Sequence, residues 1–167
     1  LMVGELARQA GFPPGVFNIV PGLGEEAGNA LINHSGVKHL SFTGSTEVGA
    51  LVQQAAAKNA VPVTLELGGK SPQVVFADAD LEKALPFLVN ASIQNCGQTC
   101  SAASRLIVES SIYEKLMNRL AERFKELRVG PAFRDLNCGP LISPEQKNRV
   151  EKYINQAKAD GLNISAE

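Results

Sequence analysis

Short β-branched, apolar runs alternate with amphipathic segments along most of this chain, and this alternation is the feature that most restricts its fold. Five runs have the composition of strands: 16–20, 37–42, 61–67, 73–76 and 106–108. Helical spacing of apolar residues predicts helices up to residue 10 and over 25–34, 46–59, 80–95, 113–127 and 144–159. Strands that alternate with helices at this spacing favour a parallel sheet, so the sequence predicts the α/β fold class.

The composition excludes several classes of function. The 167 residues are 44% hydrophobic and 20% charged, as in globular proteins, and the net charge of −1 gives no reason to expect a nucleic acid partner. No apolar run is long enough to span a bilayer, so we expect no membrane partner either. Three cysteines without framework spacing favour a reducing compartment and a cytoplasmic location. No cysteine or histidine pair has the spacing of zinc ligands, so we predict no metal site.

A break at Gly68-Gly69 predicts a domain boundary, which divides the chain into residues 1–69 and 70–167. Residues 1–7 have the pattern of the inside of an amphipathic helix without a capping residue. At the other end, residues 162–167 predict the beginning of a strand. We therefore expect the chain to be an internal piece of a longer protein.

Cys100 is the first candidate for chemistry. It follows Gly97 in a loop, where glycine lets the backbone approach a ligand and free N–H groups can stabilise an oxyanion. A loop cysteine can be a thiolate nucleophile, but it can equally be a small buried hydrophobic residue. Spacing alone leaves both interpretations open.

Glu66 is the second candidate, because it lies between Leu65 and Leu67 at the end of an apolar run. Burial raises the pKa of a carboxylic acid towards neutral, which suits a general base. The alternative is a residue at the end of a strand that faces solvent by simple alternation.

The third candidate is the segment 42–49, Phe-Thr-Gly-Ser-Thr-Glu-Val-Gly, between a predicted strand and a predicted helix. N–H groups at the start of a helix bind phosphate, although most such turns are ordinary helix entries. No lysine follows Gly49, which excludes a nucleoside-triphosphate loop. A turn at Pro21-Gly22 after the run 16–20 is similar to the glycine turn of dinucleotide-binding folds.

Three strings together resemble the signatures of the NAD(P)-dependent aldehyde dehydrogenases and occur in that family's order. They are the segment 42–49, the string Glu-Leu-Gly-Gly-Lys-Ser-Pro at 66–72, and the string Gly-Gln-Thr-Cys-Ser-Ala-Ala-Ser-Arg at 97–105. The resemblance implies that residues 1–69 are the later part of a Rossmann-like NAD(P)-binding domain. Residues 70–167 would then be the first part of the catalytic domain that carries the thiol.

The resemblance also implies roles for individual residues. Cys100 would attack an aldehyde, and Glu66 would activate the water that hydrolyses the thioester. Ser45 and the helix start would meet the cofactor pyrophosphate, and Val48 its adenine side. The implied cofactor-binding residues are Gly22, Phe42, Thr43, Gly44, Ser45, Val48, Gly49 and Leu67. The implied cofactor is NAD or NADP, the implied substrate is a small-molecule aldehyde, and the parent protein is expected to be a homo-oligomer.

Some residues and rival functions stay outside this scheme. We expect Arg105 to anchor the cysteine loop and Cys96 to be a packing residue, and we assign nothing to Cys138. The rivals are an acylating dehydrogenase that transfers the acyl group to coenzyme A, a noncatalytic relative, and a cysteine hydrolase without a cofactor. The resemblance places other binding residues outside this chain, so we expect the isolated chain to be inactive or nearly so.

Overall fold

The computed structural model describes residues 1–166, in which helices and parallel strands confirm the predicted α/β class. The strands are β1 (Leu40–Gly44), β2 (Val63–Leu67), β3 (Pro72–Val75) and β4 (Arg105–Val108). The α-helices are α1 (Met2–Gln9), α2 (Asn29–Ile32), α3 (Thr46–Asn59), α4 (Leu81–Ile93), α5 (Tyr113–Lys125) and α6 (Pro144–Ala159). The chain forms two compact units, one from Leu1 to Leu67 and one that begins at Gly68. The assignment of these units to a cofactor domain and a catalytic domain stays a prediction.

The first unit is built around β1, α3 and β2. The two strands are parallel, with Leu40 opposite Val63 and Gly44 opposite Leu67. Helix α3 begins after Ser45, whose Oγ accepts a hydrogen bond from the Val48 N–H at 3.2 Å, as expected for an N-cap. The helix packs on both strands through a small apolar core: Leu40, Val52 and Ala56, flanked by Ile32, Val37, Phe42, Val61, Val63 and Leu65.

The second unit places α4 and α5 against the parallel pair β3–β4. Asp80 caps α4, because its Oδ1 accepts from the N–H groups of Glu82 and Lys83. Leu116 of α5 has no exposed surface and lies in the larger core. The buried members of that core are Val75, Leu81, Leu85, Leu88, Val89, Leu116 and Leu120.

Two local predictions were wrong, and two predicted helices are present but differ in detail. Residues 16–20 form no strand. They follow a turn in which the Pro13 carbonyl accepts a hydrogen bond from the Val16 N–H, and no strand of the described chain pairs with them. The helix expected over 25–34 divides into a π-helical turn, Gly24–Gly28, and the short α2, because glycine and asparagine there favour helix weakly. Helix α4 ends at Ile93, before a turn with left-handed backbone. Residues 162–166 form no strand, and residue 167 lies outside the described residues.

Within the part of the chain that the structure describes, no helix is both long enough and apolar enough to cross a lipid bilayer.

Candidate active site

The carboxyl ends of β1 and β2 bring together most of the predicted cofactor-binding residues. Thr43 lies opposite Glu66, and Gly44 lies opposite Leu67, in the last two positions of the ladder. Ligands of α/β proteins bind outside this edge of a parallel sheet, where the strands end and helices begin. The sequence-predicted positions 42–45 and 66–67 therefore share one edge of the first unit.

The start of α3 has the properties of an anion site. The first N–H groups of the helix, including those of Thr46 and Glu47, have no partner within the helix. The Ser45 hydroxyl accepts from Val48 and keeps its own hydrogen, which it can donate to a phosphate oxygen. The Glu47 carboxylate lies in the same turn and opposes a second negative charge there. The donor set therefore fits a pyrophosphate, with Glu47 as the one unfavourable charge.

Two glycines at this edge are required by close packing. Gly49 is buried in α3, and a Cβ built on it would lie 2.5 Å from Cδ2 of Leu67. A Cβ on Gly44 would lie 2.5 Å from Cζ of Phe42. Both distances are shorter than any van der Waals contact, so Gly49 lets α3 approach the end of β2, and Gly44 leaves room for the Phe42 ring in its own strand.

Gly22 belongs to a different local contact. A Cβ on Gly22 would lie 2.6 Å from Cβ of Ala27, in the π-helical turn that follows it. The structure thus gives Gly22 a packing reason to be glycine. It records no contact in the described chain that joins Gly22 to the residues at the ends of β1 and β2.

Glu66 is exposed at its position in β2. Exposure alternates along the strand, with Leu65 and Leu67 half-buried and Glu66 facing solvent. Within residues 1–166 its carboxylate has no hydrogen-bond or salt-bridge partner. The carboxylate is therefore exposed to water in the described chain, as the alternation along the strand predicts. Residues 1–166 do not bury it as a desolvated general base would require.

Cys100 lies in the second unit, exposed on the loop between α4 and β4. No carbonyl or side chain of the described residues accepts a hydrogen bond from its backbone N–H. Its carbonyl oxygen faces Gly69, where a built Cβ would lie only 3.1 Å away. Cys100 therefore carries both an exposed thiol and an available N–H, and its carbonyl oxygen lies against Gly69, which has no side chain.

Gln98 attaches this loop to the segment 138–142. Its Oε1 accepts from the Ile142 N–H at 2.9 Å, and its Nε2 donates to the carbonyls of Pro140 and Asn95 at 3.4 and 3.1 Å. Sequence reasoning placed Gln98 in the cysteine string without a role. Two of its partners, Pro140 and Ile142, lie more than forty residues away in sequence, so no local pattern could have indicated them.

The turn before Cys100 has left-handed backbone at three consecutive residues. The φ angles are 48° at Asn95, 59° at Cys96 and 75° at Gly97. Asparagine and glycine tolerate this region, but it is uncommon for cysteine. Sequence reasoning found Gly97 but missed the strained Cys96, since only the glycine signals positive φ by its type.

The C-terminal side of the loop is fixed by hydrogen bonds within the second unit. Ala103 donates its N–H to Ala91 O at 2.9 Å, and the Ser92 hydroxyl lies 3.0 Å from Ala103 O. Arg105 Nε donates to Lys70 O at 2.7 Å, which is the anchoring role expected for Arg105. Cys100 is therefore held between two fixed segments.

No group of three or more His, Cys, Asp or Glu side chains that could hold a metal ion occurs among residues 1–166. A cleft of about 500 Å³ lies elsewhere in the second unit, between α4, α5 and β4. Its lining includes Leu88, Met117 and Phe124 but not Cys100.

Comparison with known proteins identifies the family. All of residues 1–167 match the sequence profile described as the aldehyde dehydrogenase family. The chain belongs to the aldehyde dehydrogenase family. Aldehyde dehydrogenase 1A1 from Oryctolagus cuniculus is 49% identical over 166 residues, which are 98% of this chain and 34% of that protein.

Solved structures agree with this membership. A protein assigned as an aldehyde dehydrogenase from Burkholderia cenocepacia matches with a TM-score of 0.96 and 58% identity, over 99% of this chain and 35% of that one. A betaine aldehyde dehydrogenase from Staphylococcus aureus, solved in complex with NAD+ and with a BME-modified cysteine, matches with a TM-score of 0.94 and 40% identity. That match covers 99% of this chain and 34% of the other. The chain spans about a third of the length of its relatives.

Proposed function

We propose that the protein to which this chain belongs oxidises an aldehyde to a carboxylic acid and passes the hydride to NAD(P)+. The observation that carries this proposal is Cys100, an exposed thiol on a doubly anchored loop whose own backbone N–H is unpaired among residues 1–166. Relatives named as aldehyde dehydrogenases, one of them solved with NAD+ and a chemically modified cysteine, support it.

Cys100 begins the proposed reaction. Its thiolate attacks the aldehyde carbon and forms a thiohemiacetal, in which the former carbonyl oxygen carries the negative charge. The Cys100 N–H would donate a hydrogen bond to that oxyanion, and its lack of an acceptor among residues 1–166 supports this role. Bound NAD(P)+ supplies the hydride acceptor, and loss of hydride leaves a thioester on Cys100.

Glu66 completes the proposed reaction by taking a proton from the water that attacks the thioester. Its position supports this role, since it stands at the carboxyl end of β2 and only three residues before Gly69 in the sequence. Hydrolysis releases the acid and regenerates the thiol.

The cofactor would be held by the chain's own groups at the carboxyl end of β1 and β2. The N-terminus of α3 and the Ser45 hydroxyl would bind the pyrophosphate, and Val48, which is 43% exposed, would contact the adenine side. Gly44 and Gly49 would keep this edge free of side chains. The remaining proposed contacts are Gly22, Phe42, Thr43 and Leu67.

The first test is formation of reduced cofactor by the full-length protein, assayed with NAD+ and NADP+ against a panel of aldehydes. We expect turnover in the wild type, none in Cys100→Ser, and retained turnover in Cys138→Ser as the matched control. Turnover that survives in Cys100→Ser would refute the covalent mechanism. Turnover that requires coenzyme A would favour the acylating alternative instead.

A second test separates the two chemical steps. Glu66→Gln should form about one equivalent of reduced cofactor per active site in a burst and then stop, because the thioester cannot be hydrolysed. Glu25→Gln, which changes another exposed glutamate, should show continuous turnover. A Glu66→Gln variant with the wild-type steady-state rate would exclude Glu66 as the base.

A further inference from the structure

Two thiols that the proposed reaction does not use lie close together in the second unit. Cys96 Sγ donates a hydrogen bond to the carbonyl of Gly139 at 3.1 Å, and Gly139 directly follows Cys138 in the chain. A Cβ built on Gly139 would lie 3.9 Å from the same sulfur. Both cysteines are half-buried, free thiols, so each is reachable by a small solute.

The backbone around both thiols is fixed by further hydrogen bonds. Cys138 donates its N–H to Arg128 O and accepts from the Gly130 N–H. On the other side, Gln98 binds the segment 138–142 through the Ile142 N–H and the carbonyl of Pro140. Cys138 is thus fixed to residues 128–130, and the Gln98 bonds tie the residues after Cys138 to the turn that carries Cys96.

The two thiols also interact electrostatically. Burial, the charge of Cys96 and a hydrogen bond with the Cys96 thiol all raise the pKa of Cys138. Cys138 is therefore a poor first nucleophile near neutral pH, because the thiolate is the reactive form.

We propose that Cys96 and Cys138 form a reversible oxidation site, a thiol pair that a hydroperoxide converts into an intramolecular disulfide. This site goes beyond the proposed dehydrogenase reaction and does not involve the Cys100 thiol.

The chemistry takes place in two steps. Cys96 sulfur attacks one oxygen of hydrogen peroxide and breaks the O–O bond. Cys96 becomes a sulfenic acid, and the departing hydroxide leaves as water with the thiol proton. Cys138 sulfur then attacks the Cys96 sulfur, breaks its S–O bond and forms the S–S bond, and the hydroxyl leaves as water with the Cys138 proton. The thiols lose two electrons in total, and the peroxide gains them.

The test is peptide mapping of the full-length protein after treatment with hydrogen peroxide and alkylation of the remaining thiols. Trypsin releases Cys138 in the peptide 135–147, but it releases Cys96 and Cys100 together in the peptide 84–105. The experiment is therefore done in the Cys100→Ser background, where the second peptide carries Cys96 as its one thiol. Because the readout is mass, it does not depend on dehydrogenase turnover.

We expect a crosslink between these two peptides that a dithiol reductant removes. It should be absent when Cys96→Ser or Cys138→Ser is added to the background. The proposal is overturned if peroxide leaves the two peptides unlinked and oxidises each cysteine separately, or if the crosslinks formed are intermolecular.

Discussion

The carbonyl oxygen of Cys100 rests against Gly69, where a built Cβ would lie 3.1 Å from it. This distance is tighter than normal contacts between a Cβ and a carbonyl oxygen, so a side chain at position 69 would displace the backbone of the proposed nucleophile. The two adjacent glycines, Gly68 and Gly69, therefore differ in the space around them. Gly69 makes room for the cysteine loop, whereas nothing lies within 4 Å of a Cβ at Gly68.

Gly69→Ala should lower kcat of the full-length protein by about 10- to 100-fold, because small displacements of a nucleophile are costly in rate. It should also slow the alkylation of Cys100 by iodoacetamide. The thermal midpoint should change little, since the contact lies on an exposed loop.

Gly68→Ala is the matched control, because it makes the same chemical change one residue earlier with free space around the new methyl group. It should retain both the wild-type kcat and the wild-type alkylation rate. Equal losses in the two variants would mean that backbone freedom, and not the contact with Cys100, matters at this turn.

Gln98→Ala should destabilise the second unit by about 1–2 kcal/mol, because it removes bonds to the Ile142 N–H and to two carbonyls. Gln98→Glu should not rescue this loss. It keeps the acceptor for Ile142, but it puts a carboxylate oxygen opposite the carbonyls of Pro140 and Asn95. Urea unfolding measures the change in stability, and Gln94→Ala, at an exposed position on the same turn, serves as the control. Wild-type stability in Gln98→Ala would show that these bonds contribute nothing.

Local sequence signals predicted the regular parts of the fold. Ser45 before α3, Asp80 before α4 and Ser143 before α6 are of residue types that favour the N-cap, and all three side chains accept N–H groups at the start of their helix. Each signal works because cap and partner lie within three residues of each other.

What the sequence did not reveal depends on contacts between distant residues. The run 16–20 has the composition of a strand, but strand formation needs a paired neighbour, and the described chain provides none. The Gln98 contacts and the left-handed turn at Cys96 likewise depend on the segment 138–142, which packs there only in the folded unit. That the proposed cofactor-binding residues share one edge of the sheet was easier to predict, because most of them lie at the ends of two consecutive strands.

Gly49→Ala should destabilise the first unit by about 1–3 kcal/mol, because its Cβ would lie 2.5 Å from Leu67 Cδ2. Combined with Leu67→Ala, the change should cost less than the sum of the two single substitutions, since the truncated side chain makes room for the new methyl group. Thermal unfolding of the four variants in the cycle measures this coupling. Strict additivity would mean that Leu67 moves aside without cost, and Gly28→Ala, with open space around its Cβ, should be neutral or slightly stabilising.

Asp80 links the stability of the second unit to pH. Hydrogen bonds with the Lys83 side chain, and then with the N–H groups at the start of α4, hold the pKa of Asp80 below its ordinary value. A folded-state pKa below the unfolded one stabilises the protein above the unfolded pKa, and this stabilisation is lost as pH falls through the folded value. Asp80→Asn keeps a good N-cap but has no charge to titrate. The wild type should therefore have the higher thermal midpoint at pH 7, and the difference should begin to shrink near the ordinary aspartate pKa of about 3.9 and disappear only below the lower, folded-state pKa. A difference that stays constant between pH 7 and pH 3 would show that the charge of Asp80 does not contribute.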